Sequence, residues 1–294
     1  MNRIYGLCLL AVLLSACGKS SEGVGASASE AAPATQQANA DMAQSLNLAD
    51  TFDFENAARG LIAKPTGQIL DADGKVLVDF AGFDFVQGAA PVTVNPSLWR
   101  HALLNKQAGL YKVMDGIYQL RGFDISNMTL IEGKTGWIVV DPLTSREVSS
   151  VAIAFARKHL GDKPVSAMIF THSHVDHFGG VLGVLTAEEA AARKIPIIAP
   201  AGFMEEATSE NVMVGLVMGR RSGFQFGKNL PRSAAGFVDA GLGKNLAYGT
   251  FGILPPTDHI TQHTEERVVD GLRLVFHNVP NTEAPAELSF NIPD

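Results

Sequence analysis

Short apolar runs alternate along this chain with stretches whose apolar positions recur at helical spacing. The runs read as β-strands, and four of them follow one another at 128–132, 137–140, 165–170 and 195–200. Between the second and third strand, residues 148–159 have the pattern of an amphipathic helix. Strands and helices in this order predict an α/β sheet with helices packed against it. In such sheets, functional side chains gather beyond the carboxyl ends of the strands.

Local sequence signals predict where several elements begin and end. Asn95 followed by Pro96 is typical of a helix N-terminus. The sequence Thr-Ser-Arg-Glu at 144–147 predicts a capping box ahead of the amphipathic helix. Residues 178–185 predict the start of an apolar helix, with glycines where the backbone passes close to another segment. Residues 215–252 are rich in Gly, Lys, Arg and Asn, and they predict a long loop.

The first residues have the pattern of an export signal. Arg3 precedes the apolar stretch 4–14, which is too short to span a bilayer. The sequence Leu-Ser-Ala-Cys at 14–17 resembles a bacterial lipobox, which predicts cleavage before Cys17 and lipidation of its thiol. An ordinary secretory signal with a chance cysteine is the alternative. Gly18, where an Asp would favour the inner membrane, predicts a lipid anchor in the outer membrane that faces the periplasm.

These signals divide the chain into three parts. Residues 1–16 are predicted to be a lipoprotein signal peptide, 17–50 a lipidated cysteine with a flexible linker, and 51–294 a folded domain. The two cysteines, Cys8 and Cys17, precede that domain, so disulfides and Cys-ligated metal are excluded there. A hydrophobic content of 46% is sufficient for a core. The formal net charge of −7 argues against a nucleic-acid partner.

The segment 171–177, Thr-His-Ser-His-Val-Asp-His, concentrates potential metal ligands directly after the third predicted strand. His172, His174, Asp176 and His177 place three imidazoles and a carboxylate within six residues. Neutral imidazole nitrogen and carboxylate oxygen are ligands that suit zinc. A histidine-rich surface loop is the alternative. The position behind a buried strand favours a metal site.

This segment resembles the T-H-S-H-x-D-H-F-G-G motif of the metallo-β-lactamase superfamily. Thr-Glu-Ala-Pro-Ala-Glu at 282–287 resembles the zinc-dependent alkyl sulfatases of that superfamily, the branch of the linear primary alkylsulfatases, which hydrolyse dodecyl sulfate. Four further stretches are similar to the same branch: Asn-Pro-Ser-Leu-Trp at 95–99, Asp-Gly-Ile-Tyr-Gln at 115–119, Asn-Met-Thr at 127–129 and Gly-Trp-Ile-Val-Val-Asp-Pro-Leu at 136–143. The resemblance runs from Phe52 to Asp294 and implies the αββα sandwich of the superfamily.

The resemblance also implies two zinc ions as cofactors. His172, His174 and Glu283 are expected to bind one zinc, and Asp176 and His177 the other. A Glu at the third ligand position, where most of the superfamily has a His, is typical of the alkyl sulfatases. The expected reaction is the hydrolysis of an alkyl sulfate ester to an alcohol and sulfate by a metal-bound hydroxide.

Several other polar residues have more than one expected role. Asp141 is expected to hold a bridging water or to orient a ligand, so it is grouped with Asp176 as catalytic. Glu287 is either a ligand or a carboxylate near the ligands. Four basic residues of the predicted loop either bind sulfate or form a solvated surface: Arg220, Arg221, Lys228 and Arg232. Three histidines without a motif are expected to be structural: His259, His263 and His277.

The sequence also departs from the alkyl sulfatase pattern. In that branch, the remaining ligands of the second metal, a dimerisation domain and an apolar pocket for the alkyl chain follow the T-E-A-P segment, whereas this sequence ends at Asp294. We therefore expect a truncated domain from a homodimeric parent enzyme, with weak or no activity of its own. Two alternatives remain: another hydrolase of this fold, such as a lactonase or phosphodiesterase, and an inactive lipid-anchored binding protein.

Overall fold

The computed structural model describes residues 31–244 and 246–293, and at its centre lies an eight-stranded mixed sheet. The helices of the described residues are α1 (Pro33–Ser45), α2 (Phe52–Ala58), α3 (Pro96–Asn105), α4 (Arg146–Leu160), α5 (Val175–Phe178), α6 (Ala187–Arg193), α7 (Phe203–Thr208) and α8 (Gly215–Phe226). The strands are β1 (Leu61–Ala63), β2 (Gln68–Leu70), β3 (Val76–Asp79), β4 (Gly109–Met114), β5 (Ile117–Arg121), β6 (Met128–Glu132), β7 (Trp137–Val140), β8 (Val165–Ile169), β9 (Ile197–Pro200), β10 (Asp258–Ile260), β11 (Thr264–Val269), β12 (Leu272–Asn278) and β13 (Leu288–Asn291). A short 3-10 turn, Val181–Gly183, and a π-helical turn, Ser209–Met213, complete the helical segments.

The strand order of the central sheet is β1-β4-β5-β6-β7-β8-β9-β10. Strands β4, β5, β6 and β7 pair antiparallel with one another in chain order and are joined by short connections. From β7 to β10 the pairing is parallel, and parallel neighbours need a crossover. Helix α4 provides the crossover from β7 to β8, and the segment with α6 provides the next. The carboxyl ends of β7 and β8 therefore lie side by side at one edge.

Alternate side chains of the central strands face two separate cores. In β7, Trp137 and Val139 point into the core that α4 covers, whereas Ile138 and Val140 point into the opposite core. The three-stranded sheet β11-β12-β13 covers the second core, with these buried side chains: Val269, Leu274, Phe276 and Leu288. A helix layer, a large sheet and a small sheet thus stack on one another, and the predicted α/β class is confirmed.

Most of the predicted strands and one helix start are confirmed. Strands β6 and β7 have the predicted bounds, and β8 and β9 lie within theirs. Helix α3 begins at Pro96, and the side chain of Asn95 accepts a hydrogen bond from the Ser97 N–H at 2.9 Å. Period-two apolar patterns and N-cap residues are local signals, and no distant contact overrides them here.

The predicted flexible linker differs from the structure in its second half. Residues Pro33–Ser45 form α1, whose Ala and Gln residues have high helix propensity and whose first residue is a proline. None of its side chains is buried, but Asn39 donates a hydrogen bond to the Val92 carbonyl at 2.7 Å. The predicted signal peptide and Cys17 lie outside the described residues. No helix among the described residues is long and apolar enough to cross a membrane.

Three further local predictions are wrong. The capping box of α4 does not form, because the N-cap Ser145 makes no side-chain hydrogen bond and Glu147 accepts one from the Thr250 N–H at 2.9 Å. The apolar stretch 178–185 is not a continuous helix, since α5 ends at Phe178, the first residue of the stretch. The predicted loop 215–252 begins with the twelve-residue helix α8. Leu, Met and Arg favour that helix despite three glycines in it.

Candidate metal centre

The histidine cluster lies at the edge where the central parallel strands end. After β8 the chain continues through Thr171 and turns at His172 towards the single helical turn α5. Asp141 follows β7, the parallel neighbour, and its N–H donates to the Ile169 carbonyl at 3.0 Å. Two adjacent strands thus deliver Asp141 and the histidine cluster to the same edge, as expected for a functional site in an α/β sheet.

Three potential ligands converge on one point. The ligand atoms of His172, His174 and Glu283 all lie within 4.8 Å of one another. Nε2 of His172 is 3.1 Å from Nδ1 of His174, and Oε1 of Glu283 is 3.9 Å from the same Nδ1. Two donors bound to a tetrahedral zinc at about 2.0–2.1 Å lie about 3.3 Å apart. The chemistry of this group therefore fits a zinc ion, and the distance between the two histidine nitrogens matches the edge of a zinc tetrahedron.

Asp176 and His177 form a pair of donors beside the first group. Nε2 of His177 lies 3.2 Å from Oδ2 of Asp176, which is again close to the edge of a zinc tetrahedron. The rings of His172 and His177 have their centroids 3.9 Å apart. Among the described residues, however, only the first group contains three donor atoms from His, Cys, Asp or Glu side chains within 4.8 Å of one another. The pair is thus a group of two donors next to the first group, without a third donor among the described residues.

Neighbouring donors occupy the carboxylate of Asp141. Oδ1 accepts a hydrogen bond from the Thr171 N–H at 2.8 Å, and Oδ2 accepts one from the Thr171 hydroxyl at 2.7 Å. Oδ2 also lies 2.8 Å from Nδ1 of His177, so that Nε2 of this ring faces Asp176. The backbone of Asp141 has φ 55°, a left-handed conformation that Asp tolerates better than most residues. Of the two predicted roles, this geometry favours the orientation of a ligand.

A second carboxylate fixes the segment that carries Glu283. Oε2 of Glu287 accepts hydrogen bonds from the Thr282 hydroxyl at 2.6 Å and from the N–H groups of Glu283 and Ala284 at 2.7 and 3.0 Å. An antiparallel bridge joins Glu287 to His172. The side chain of Glu283 remains 64% exposed and faces the first ligand group. Of the two roles left open for Glu287, the geometry favours that of a support.

The pKa values of His172 and His177 are shifted in opposite directions in the metal-free protein. Burial, together with the nearby charge of His177, lowers the pKa of His172 to about 4. Burial also lowers the pKa of His177, but the carboxylates of Asp141 and Asp176 outweigh it and raise this pKa to about 11. Of these two imidazoles, His177 is therefore the one that is protonated at neutral pH. A zinc ion bound at Nε2 of His177 would have to displace a proton, because the ligand nitrogen of an imidazole carries none.

Two glycines let the segment after α5 pack against the start of α4. A Cβ atom on Gly179 would collide with the carbonyl oxygen of Thr144. One on Gly180 would collide with the carbonyl oxygen of Pro142 and the hydroxyl of Ser149. Any side chain would therefore force these segments apart. This close approach confirms the prediction that the glycines stand where the backbone passes close to another segment.

Sequence reasoning missed two buried residues that support the site. Asp124 accepts hydrogen bonds from three main-chain N–H groups, those of Ile125, Thr144 and Ala247, at 2.8, 2.8 and 3.1 Å. The hydroxyl of Ser126 donates to the main-chain carbonyl of Asp176. Both residues lie in the short connection between the strands β5 and β6, and both are buried. The polar residues within this connection were the available signal, but ordinary turns contain such residues as well.

Residues 121–282, more than half of the chain, match the metallo-beta-lactamase superfamily. The chain belongs to the metallo-β-lactamase superfamily. A solved structure of the stereoselective inverting sec-alkylsulfatase from Pseudomonas sp. is similar to this chain with a TM-score of 0.86 and 41% sequence identity, over 90% of this chain and 42% of that one. The sandwich fold of the superfamily, implied by the sequence motifs, is thereby confirmed.

Curated relatives also support the alkyl sulfatase resemblance. A linear primary-alkylsulfatase from Pseudomonas sp. is 44% identical over 270 residues, which cover 91% of this chain and 40% of the relative. An alkyl/aryl-sulfatase from Saccharomyces cerevisiae is 42% identical over 268 residues, 90% of this chain and 42% of the relative. The resemblance to alkyl sulfatases is confirmed. The chain spans about two fifths of the length of the curated relatives it matches.

In this member of the superfamily, the basic residues of the predicted loop divide into two pairs. Arg220 and Arg221 lie exposed on α8. Nζ of Lys228 donates to the Tyr248 hydroxyl at 3.0 Å, and the guanidinium of Arg232 lies 4.8 Å from the centre of a phenylalanine ring. Contacts with aromatic rings account for the second pair. These positions favour the interpretation of a basic surface.

Proposed function

We propose that the protein hydrolyses alkyl sulfate esters to an alcohol and sulfate with the help of two zinc ions. The observation that carries the proposal is the pair of adjacent donor groups, with the rings of His172 and His177 only 3.9 Å apart. His174 and Glu283 complete the first group, and Asp176 the second. The alkylsulfatase relatives, at 42% and 44% identity, support sulfate esters as the substrate class.

The protein residues in this proposal hold and orient the reacting groups. Two bound zinc ions would supply a hydroxide near neutral pH and positive charge for the sulfate group. Asp141 keeps the proton of His177 on Nδ1, so that Nε2 is free to act as a ligand. Glu287 holds the turn that presents Glu283 to the first group. Both carboxylates restrict the motion of a ligand, which keeps the site preorganised.

No side chain is proposed to form a covalent intermediate. Both cysteines lie in the first 17 residues, and no Ser stands in a G-x-S-x-G sequence that would present it as a nucleophile. We propose attack of the hydroxide at the carbon atom, with sulfate as the leaving group. One similar protein is named an inverting sec-alkylsulfatase, and inversion requires that the C–O bond breaks. Cleavage of the S–O bond would leave the configuration at carbon unchanged.

An exposed apolar surface next to the site supports a substrate with an alkyl tail. It begins two residues after Glu210, whose carboxylate lies 3.5 Å from Nε2 of His174. We define this apolar band by four exposed side chains: Val212, Met213, Leu216 and Val217. Leu216 alone retains 94% of its accessible surface. Groups of exposed apolar side chains often belong to binding surfaces.

The experiment compares Glu283→Ala with Glu287→Ala in the protein expressed from its natural gene. We expect dodecyl sulfate to be hydrolysed, and Glu283→Ala to remove most of both the zinc and the activity, because it deletes a ligand. The Glu287→Ala variant should lose less of each, since only the support of the turn is lost. Equal zinc loss in the two variants would contradict the ligand assignment. Turnover of lactones or phosphodiesters without turnover of alkyl sulfates would contradict the substrate class.

Hydrolysis in isotopically labelled water tests the site of attack. Attack at carbon places the label in the alcohol, because the new C–O bond contains the oxygen of water. Attack at sulfur places the label in the sulfate. We expect labelled alcohol, and labelled sulfate alone would refute attack at carbon. A covalent sulfo- or alkyl-enzyme, detected by mass spectrometry after rapid quenching, would refute the direct displacement altogether.

We also propose that the mature protein is anchored to the bacterial outer membrane through lipid on Cys17. The lipobox-like sequence at 14–17 supports this, and an anchor of several acyl chains suffices for stable membrane binding. Fractionation of cells that express the protein or its Cys17→Ser variant tests the proposal. The variant should move to the soluble fraction. Equal membrane association of both proteins would contradict the anchor.

A further inference from the structure

Glu210 points towards the protein interior, whereas Ser209, Val212 and Met213 in the same turn are exposed. It lies in the π-helical turn Ser209–Met213, which directly follows α7. Met213 is 78% exposed, whereas the side chain of Glu210 retains only 24% of its accessible surface. Phe203, Ala207 and Glu210 are spaced as i, i+4 and i+7, and the first two are the buried residues of α7. The carboxylate therefore stands where helical spacing would call for an apolar side chain.

The inward carboxylate lies against the imidazole of His174. Oε1 of Glu210 is 3.5 Å from Nε2 of His174. Oε2 of Glu210 is buried and has no hydrogen-bond partner in the described part of the chain. A carboxylate is costly to bury unless a donor satisfies it. An N–H group on Nε2 of His174 would give Oε1 a donor, and Oε2 would remain without one among the described residues.

The other nitrogen of the same ring faces the candidate zinc ligands. Nδ1 of His174 lies 3.1 Å from Nε2 of His172 and 3.9 Å from Oε1 of Glu283. A neutral imidazole has one proton, and the nitrogen that binds a metal must be the one without it. With zinc at Nδ1, the proton of His174 is on Nε2, which points at Glu210.

We propose that Glu210 is a positioning residue, which keeps the proton of His174 on Nε2 and thereby leaves Nδ1 free to bind zinc. The inference rests on the zinc site of the proposed function. A carboxylate behind a ligand imidazole restricts rotation of the ring and increases the basicity of the ligand nitrogen. Glu210 does not touch the reacting atoms in this arrangement, and its effect passes through His174.

The other two rings of the cluster have partners in the corresponding position. Oδ2 of Asp141 lies 2.8 Å from Nδ1 of His177, and the hydroxyl of Thr171 lies 3.0 Å from Nδ1 of His172. In both cases the opposite nitrogen, Nε2, faces the ligand side. Glu210 has the same relation to the third ring, with the roles of the two nitrogens exchanged. The pattern of one polar partner behind each ring is complete only when Glu210 is included.

Zinc affinity and fold stability separate positioning from a structural role. The metal-free chain and its Glu210→Ala, Glu210→Gln and Glu205→Gln variants are titrated with zinc against a chromophoric chelator. Glu205 lies exposed on α7 and serves as the matched control. We expect Glu210→Ala to weaken zinc binding about 10- to 100-fold, and the control to leave it unchanged. Glu210→Gln should weaken it less, because the amide oxygen still accepts a hydrogen bond from Nε2.

Thermal unfolding of the metal-free proteins shows whether the variants fold. Glu210→Ala should unfold at the wild-type temperature or above it, because it removes a buried carboxylate without a hydrogen-bonded partner on Oε2. A loss of metal-free stability that accounts for the loss of affinity would overturn the positioning role. The near-isosteric Glu210→Gln variant keeps the comparison valid if Glu210→Ala fails to fold.

Nitrogen-15 NMR of the histidine rings in the zinc-loaded chain tests the assignment of the proton directly. We expect zinc on Nδ1 of His174 and a proton on Nε2. Zinc on Nε2, or equal zinc affinity of wild type and Glu210→Ala, would overturn the inference and leave the proposed function intact. A wild-type chain that binds no zinc would overturn both.

Discussion

Asp124 is a buried carboxylate whose proton should be measurable in the stability of the fold. Its neighbours are the N–H groups of Ile125, Thr144 and Ala247. Burial raises the pKa of Asp124 from 3.8 to about 6, although these hydrogen bonds oppose the shift. The folded state therefore binds this proton more tightly than the unfolded chain. The stability it contributes is fully present below the unfolded pKa and is lost as the pH rises through the folded one.

The size of the effect follows from the shift. About two pKa units at about 1.4 kcal/mol each correspond to about 3 kcal/mol in total, of which about 2 kcal/mol falls between about pH 4.5 and 7.5. Asp124→Asn abolishes the titration and retains one acceptor oxygen. Its amide group then faces the Thr144 N–H, which should destabilise the fold by about 1–3 kcal/mol. At about pH 7.5 the variant should be less destabilised, by about 2 kcal/mol, than at about pH 4.5.

Urea unfolding followed by circular dichroism measures this difference. Wild type and Asp124→Asn are compared across the pH range in the presence of a chelator. The release of protons by metal binding then makes no contribution to the pH dependence. Asp73→Asn is the control, because Asp73 is exposed in the turn before β3. Its profile should parallel that of wild type. If the profile of Asp124→Asn also parallels that of wild type, burial does not raise the pKa of Asp124.

Three further results are expected. Gly180→Ala should lower the free energy of unfolding by at least about 1–3 kcal/mol, because its Cβ would collide with the turn at 142–145, whereas Gly219→Ala has open space and should gain up to about 1 kcal/mol; equal values in urea unfolding would contradict this. Asp141→Ala should weaken zinc binding about 10- to 100-fold in a chelator competition, and an unchanged affinity would show that Asp141 does not orient a ligand. Zinc affinity should rise with pH through neutrality, because zinc displaces the proton of His177, whose pKa is raised to about 11; calorimetry in two buffers should detect proton release, and its absence would contradict the assignment.

The sequence by itself was sufficient for the elements that depend on local patterns. The apolar runs of β6 to β9 and the N-cap of α3 were predicted because alternation and capping are decided by residues close in the chain. The cluster from His172 to His177 was also recognisable, since its ligands lie within six residues. Helix α1 was missed because its Ala- and Gln-rich sequence also fits a linker, and composition does not separate the two.

Only the tertiary structure assigned a separate role to each carboxylate near the histidine cluster. Glu283 and Glu287 lie four residues apart in one turn, yet one faces the histidines and the other accepts hydrogen bonds from the turn. Glu210 has no motif around it, and its position beside His174 depends on how α7 packs. A carboxylate has the same chemistry wherever it stands in the sequence. Its function depends on orientation and burial, which are set by contacts between segments far apart in the chain.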